Sequence, residues 1–315
     1  MVHMRTREVL MNRFFIILIA VFGLINSASP AAAEINVFAC EPEWAALTKE
    51  LGGDKVEVFS ATTARQDPHY IRAKPSLIAA VRKADLIVCS GASLEIGWLP
   101  LLLQKSGSQN TQPGSNGYLL AADYVQTIEK PQRLDRSEGD VHPEGNPHLH
   151  LNPHNIARVA EELTKRLSSL ESSNSSFFRQ RFEQFLIRWN EALARWESRA
   201  KSLKGAWVVV HHKSLSHLID WLGLQEVGSL EPKPGIPPSS AHLESLLLAL
   251  KSMPPNFILR TPFDPADASS WLSEKTGSPA IILPYTVGGN DESVDLFTLF
   301  DSTLDLLTKV KGPHD

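Results

Sequence analysis

Four histidines, His142, His148, His150 and His154, crowd one short run of chain interrupted by Pro143, Pro147 and Pro153. The prolines exclude a regular helix there, because each lacks a backbone donor and crowds the preceding turn. His148 and His150 are two apart, so in an extended segment they point the same way. Neutral imidazole is the commonest metal ligand and suits zinc, copper, nickel and iron. A histidine-rich polar surface loop is the competing reading of the run.

Histidines elsewhere bear on that choice. Asp67-Pro-His69 lies beyond a strand-like run at residues 56–59, and His211-His212 end another at 206–210. In open α/β sheets, ligands bind outside the carboxyl ends of strands. Two lobes with such edges facing each other would make a cleft where these side chains converge. Three or four histidines placed at such edges of two lobes point to a metal site.

The elements that must position these residues follow from hydrophobic periodicity. Strand-like runs at residues 35–40, 56–59 and 86–89 alternate with helical stretches at 42–51 and 75–82. That alternation predicts a parallel sheet with crossover helices. Beyond the histidine run, Ile156, Val159, Leu163 and Leu167 mark the apolar face of a helix over 155–170. A second helix, 177–203, contains no proline or glycine. At ~1.5 Å per residue it would be about 40 Å long, enough to run along two lobes. Strands at 206–210, 256–259 and 280–283 follow, with helices over 215–222, 242–252 (capped by Ser240) and 296–311. The expected fold is α/β with two lobes, each a mostly parallel sheet flanked by helices, joined by one long backbone helix. The expected divisions are a signal peptide at 1–33, a first lobe at 34–174, a linking helix at 175–204 and a second lobe at 205–315.

Arg5, Arg7 and Arg13 precede the apolar run 14–25, and Ala31-Ala32-Ala33 follows. This is the layout of a secretory signal peptide cut after Ala33. Met11 offers an alternative start. The apolar run is short for a span of ~20 residues, and no cysteine stands at the cut to carry a lipid. The mature protein is therefore expected to be soluble and periplasmic. With 31 basic and 35 acidic residues the net charge is -4, and no basic stripe invites nucleic acid. Cys40 and Cys89 each end a strand-like run. In an oxidising compartment such a pair is more readily bridged than left as two buried thiols.

The sequence resembles the periplasmic zinc- and manganese-binding proteins of ABC-type metal uptake systems, across nearly all of the mature chain. Asp67-Pro-His69 with Pro75-Ser76 looks like that family's first ligand motif. Gly145-Asn-Pro-His148 with Leu151-Asn-Pro153 looks like the second. Val210-His-His-Lys-Ser-Leu-Ser-His217 before Gly223-Leu224 looks like the third, with spacing that selects His212 over His211. The segments 91–95 and 232–239 also match. Asn146 and Asn152 stand where the family usually has aspartates, His150 where an aromatic is common, and His217 where tyrosine is common.

The resemblance implies metal ligation by His69 and His148 from the first lobe, and by His212 and an acid from the second. Asp291 is the expected acid, Asp295 the second choice and water the third, although Asp295 also opens the last helix as a capping residue would. His142, His150 and His154 read as a solvated polar loop, with a secondary or transient site as the alternative. The implied function is high-affinity capture of Zn2+ by a monomer that closes around the ion and presents it to a membrane permease. A manganese-binding member of the family is the alternative. A secreted zinc hydrolase would need a general base beside the metal-bound water. No H-E-x-x-H occurs, and the glutamate nearest in sequence to a candidate ligand is Glu144, in the histidine-rich loop, so no enzyme activity is expected. A zinc buffer without a permease partner stays open.

Overall fold

The computed structural model describes residues 34–133, 135 and 138–310. The signal segment at 1–33 lies outside them. In the first sheet, β1 (Ile35–Ala39), β2 (Val56–Ser60), β3 (Leu86–Cys89) and β4 (Tyr118–Leu120) run parallel in the order β2-β1-β3-β4. In the second, β5 (Trp207–Val210), β6 (Gln225–Ser229), β7 (Phe257–Arg260) and β8 (Ala280–Ile282) run parallel in the order β6-β5-β7-β8. The central strands are buried on both faces, as helix-covered parallel strands must be.

The helices of the first sheet are α1 (Pro42–Gly52), α2 (Pro75–Lys83) and α3 (Leu99–Ser106), followed by α4 (Pro153–Leu170). Pro42, Pro75 and Pro153 stand in the first turn, where the missing donor costs nothing. The long helix is α5 (Ser175–Ala200). Those of the second sheet are α6 (Ser216–Leu222), α7 (Ser240–Ala249), α8 (Asp267–Thr276) and α9 (Leu296–Lys309).

Phe178, Phe185, Trp189, Ala192, Trp196 and Ala200 form the buried stripe of α5, at helical spacing. Trp189 meets Phe185 and Trp196 on its own helix and Phe297 and Phe300 on α9. Its indole Nε1 donates to Pro153 O at 3.0 Å, at the start of α4. One continuous apolar cluster includes Val37 and Val88 from the first sheet and Val208 and Leu259 from the second. The two sheets thus share a core rather than meeting at a wet seam.

Several local features differ from expectation. The edge strands β4 and β6 carry few buried side chains, so no apolar run announces them. Helices α3 and α8 lie outside the expected elements. Ser239, not Ser240, caps α7: it is the extended residue and accepts from His242 N at 3.3 Å. The long helix begins at Ser175 and ends in a 3-10 turn at Lys201–Leu203.

Cys40 and Cys89 are joined in a buried disulfide with Cα atoms 4.8 Å apart. The parallel register pairs Ala39 with Val88, which sets the two cysteines side by side just past the strand ends. Exported protein should show no titratable thiol until reduced. The bridge closes a separation of 49 residues, so the Cys40→Ser/Cys89→Ser protein should lose about 4 kcal/mol on a chain-entropy estimate. Denaturant unfolding would read it. Two thiols that react freely in air-exposed folded protein would contradict the bridge.

Candidate metal centre

Three loops at the carboxyl ends of strands each offer one imidazole. After β2, Asp67 caps a single 3-10 turn, Pro68–Tyr70, accepting from His69 N at 2.9 Å. The same carboxylate oxygen lies 2.7 Å from His69 Nδ1. With the proton on Nδ1, Nε2 carries the free lone pair. Trp98 Nε1 donates to Pro68 O at 2.8 Å and anchors the turn to the core.

His148 precedes a 3-10 turn at Leu149–Leu151, just ahead of α4. Asn146 Oδ1 accepts from His148 N at 3.0 Å, and Asn146 Nδ2 donates to Lys213 O at 2.8 Å across the cleft. An aspartate at 146 could not make the second bond, which explains the departure at this position. His148 Nδ1 lies 2.6 Å from Tyr285 Oη, while its buried Nε2 has no hydrogen-bond partner. His212 follows β5, and its Nδ1 lies 2.7 Å from Glu231 Oε2, which also accepts from Gly235 N at 2.8 Å.

The three rings converge. Their centroids are 5.2 Å (His69 to His148), 5.6 Å (His69 to His212) and 5.9 Å (His148 to His212) apart. One ring nitrogen of each lies within 4.8 Å of the others. Each Nδ1 is engaged by an oxygen, which orients the ring as outer partners of metal-bound histidines do.

Residues 37–310 match the family described as ZnuA, zinc-uptake complex component A, periplasmic. The chain belongs to the ZnuA family. That family is one of uptake-complex components, not enzymes. The chain is 27% identical over 199 residues to the metal ABC transporter substrate-binding lipoprotein ScbA of Streptococcus cristatus, covering 60% of each chain. It therefore spans less than two thirds of that relative's length. A crystal structure of ZnuA superposes with a TM-score of 0.70 at 20% identity, covering 87% of this chain and 98% of that one. The Mn-bound periplasmic metal-binding protein from Candidatus Liberibacter asiaticus also gives 0.70, at 17% identity, covering 88% and 99%. At these identities the structures establish the shared fold.

The remaining histidines of this ZnuA-family chain separate by burial. His211 faces away from the trio and lines a different cavity with Pro237, Leu243 and Trp271. Adjacent residues of an extended chain face opposite ways, so only one of the pair can reach the cleft. The solvated-loop reading holds for His154, exposed and 3.1 Å from Glu197. It fails for His150, which is fully buried: Nε2 donates to Tyr285 O at 2.9 Å and Nδ1 lies 3.1 Å from Glu43 Oε1. His142 is also turned inward. Its Nδ1 donates to Ala92 O at 3.0 Å, and its Nε2 lies 3.3 Å from His69 Nε2. His217 is buried against Asn146 O at 3.1 Å.

Asp291 is not brought to the trio. It is exposed and lines neither cavity that His148 and His212 share. The loop turns its earlier residues inward instead. Tyr285 and Thr286 are buried, and a turn at Gly288, whose N–H donates to Ser293 O at 2.6 Å, carries Asp291 outward. Asp295 caps α9, accepting from Thr298 N at 2.7 Å within a capping box. The second-lobe acids lining the cavity are Glu231, held by His212, and Asp264, which accepts from Thr261 N at 2.7 Å.

Burial, then the neighbouring His69 and His212, holds His148 well below the usual histidine pKa. Burial and His69 likewise bring His142 down to about 4. His212 moves the other way. Burial opposes its charge, but the Glu231 carboxylate outweighs it and raises the pKa. His148 and His142 are thus neutral and ready to bind at neutral pH, while at His212 a proton competes more strongly with a cation than at either of them.

Proposed function

We propose that this protein captures zinc in the periplasm and delivers it to the permease of an ABC-type uptake transporter. The observation that carries the reading is the convergence of His69, His148 and His212, each with Nδ1 tied to an oxygen and Nε2 left to face the cleft. Zinc is the proposed cargo because imidazole suits it better than manganese, which prefers carboxylate, carbonyl and water. The proposed mature chain is a monomer that begins after residue 33, with lobes at 34–174 and 205–315 and the linking helix at 175–204. Titration of metal-free protein against competing chelators should give one tight zinc per chain and far weaker Mn2+ binding. Equal or tighter Mn2+ binding would overturn the choice of zinc.

The pH dependence follows from the opposed shifts. A ligand must be neutral to bind, so protonation competes with the ion. His212 has the raised pKa, so affinity should be full above it and fall as pH drops through it. His148, with its depressed pKa, should compete only at much lower pH. Zinc affinity measured from about pH 8 to about pH 5 should therefore fall, since free histidine titrates near ~6.5. Glu231→Gln should move the fall to lower pH by removing the carboxylate that favours charged His212. A flat profile down to about pH 5 would contradict a histidine site.

A further inference from the structure

We infer that His142 supplies the fourth donor, so that the ion is held by four imidazole nitrogens and no carboxylate. This rests on reading His69, His148 and His212 as the metal centre. Zinc–nitrogen bonds of ~2.0–2.1 Å in a tetrahedral site place neighbouring ligand nitrogens about 3.3–3.4 Å apart. The His69 and His142 Nε2 atoms are 3.3 Å apart. Both rings already use Nδ1, His69 toward Asp67 and His142 toward Ala92 O. In those tautomers both Nε2 atoms are acceptors. Two lone pairs at that distance repel unless a proton or a cation lies between them.

The backbone around His142 holds the ring in this pose. Ala92 (φ 48°) and Ser93 (φ 65°) both adopt left-handed conformations, following Gly91 at φ 76°. Such non-glycine residues are strained and persist only where the surroundings enforce them. Here the buried Glu95 carboxylate accepts from Ser90 N at 2.8 Å and Gly91 N at 3.1 Å. The turn delivers the Ala92 carbonyl to His142, and Ser93 Oγ donates to Glu144 Oε2 at 2.9 Å. On the other side, Asp140 accepts from Tyr70 Oη at 2.5 Å and donates its N–H to Pro234 O at 2.9 Å. The segment carrying His142 is thus fastened to the His69 turn and to the second lobe. The fourth position falls to the first lobe's loop, and an all-nitrogen shell excludes manganese more strongly than one with an acid.

X-ray absorption of the zinc-loaded mature protein tests this directly. Four imidazoles around zinc, falling to three plus one light oxygen scatterer in His142→Ala, would establish the assignment. Zinc affinity should then fall at least tenfold in His142→Ala, and His142→Asp should raise Mn2+ affinity relative to zinc. Three imidazoles in the unaltered protein, with zinc affinity unchanged in His142→Ala, would overturn His142 and leave the trio standing. Zinc affinity unchanged in His148→Ala, or a shell without imidazole, would overturn the trio and this inference with it. If His142→Ala folds poorly, the ligand count in the unaltered protein still decides.

Discussion

Replacing His148 with alanine should lower zinc affinity by about two to three orders of magnitude while the chain still folds. Zinc bound at structural sites contributes roughly 10–16 kcal/mol of apparent free energy. Shared over four ligands, one imidazole accounts for about 3–4 kcal/mol, which is roughly a hundred- to thousandfold in affinity. His148 is the ligand from which most is expected, because it is fully buried and Tyr285 holds its ring in place. His69→Ala and His212→Ala should behave alike. His211→Ala is the control: its side chain faces another cavity, so zinc should bind normally. A stability cost of about 1 kcal/mol would be ordinary for it. Chelator competition reads the affinity, and thermal unfolding of the metal-free proteins reads the fold. If His211→Ala loses zinc and His212→Ala keeps it, the strand β5 is placed one residue out of register.

Trp189→Ala should destabilise the whole protein by about 3–5 kcal/mol, the range for emptying a large aromatic from a core. The indole is fully buried and touches four aromatic rings. Its Nε1 also satisfies Pro153 O, which would be left without that donor. Because α4, α5 and α9 meet at this ring, unfolding in denaturant should remain a single transition with a lower midpoint. Leu248, 62% exposed on α7, provides the contrast, and its replacement by alanine should stay within about 0.5 kcal/mol. Zinc affinity of folded Trp189→Ala protein should be unchanged. Two separate transitions would show that the lobes do not share the core.

The three principal histidines are legible partly because His69 and His212 lie beyond strand-like runs, and partly through the resemblance, which selects His212 over His211. His69 and His148 each have a partner two residues away, whereas the partner of His212 lies 19 residues on. Asp67 caps the His69 turn, Asn146 caps the His148 backbone, and Glu231 holds His212. Central strands and the long helix are legible for a related reason. Burial on both faces, or along one stripe, writes itself into the sequence as runs and periods. What stays hidden depends on three-dimensional direction. The analogy of its loop favours Asp291 over other acids, but nothing in a turn's sequence says which of its side chains face inward. His142 reads as one more polar loop residue, and its partner, the Ala92 carbonyl, is set by a backbone conformation that alanine and serine do not announce. The edge strands β4 and β6 are short and half-buried, so they lack the apolar runs of their neighbours. Between Ser239 and Ser240, only the extended backbone of Ser239 decides the cap.

If the chain is the carrier proposed above, the shared core bears on how its loaded form would be recognised. His150 from the first lobe donates to Tyr285 O of the second, and Thr286 Oγ1 donates to Glu43 Oε2 at 2.5 Å, all among buried residues. Rocking the lobes apart would expose this polar bridge along with a continuous apolar layer. Such a carrier has little room to advertise its cargo by snapping shut like a jaw. Its empty and loaded forms would differ at the rim, in the loops bearing His142 and Glu231, rather than in overall outline. On that proposal, unloading would resemble lifting a latch: a receiving protein would need only to pull one rim loop away for an imidazole to leave, and the ion's dwell time would be set by that loop's fastening rather than by a swing of half the molecule.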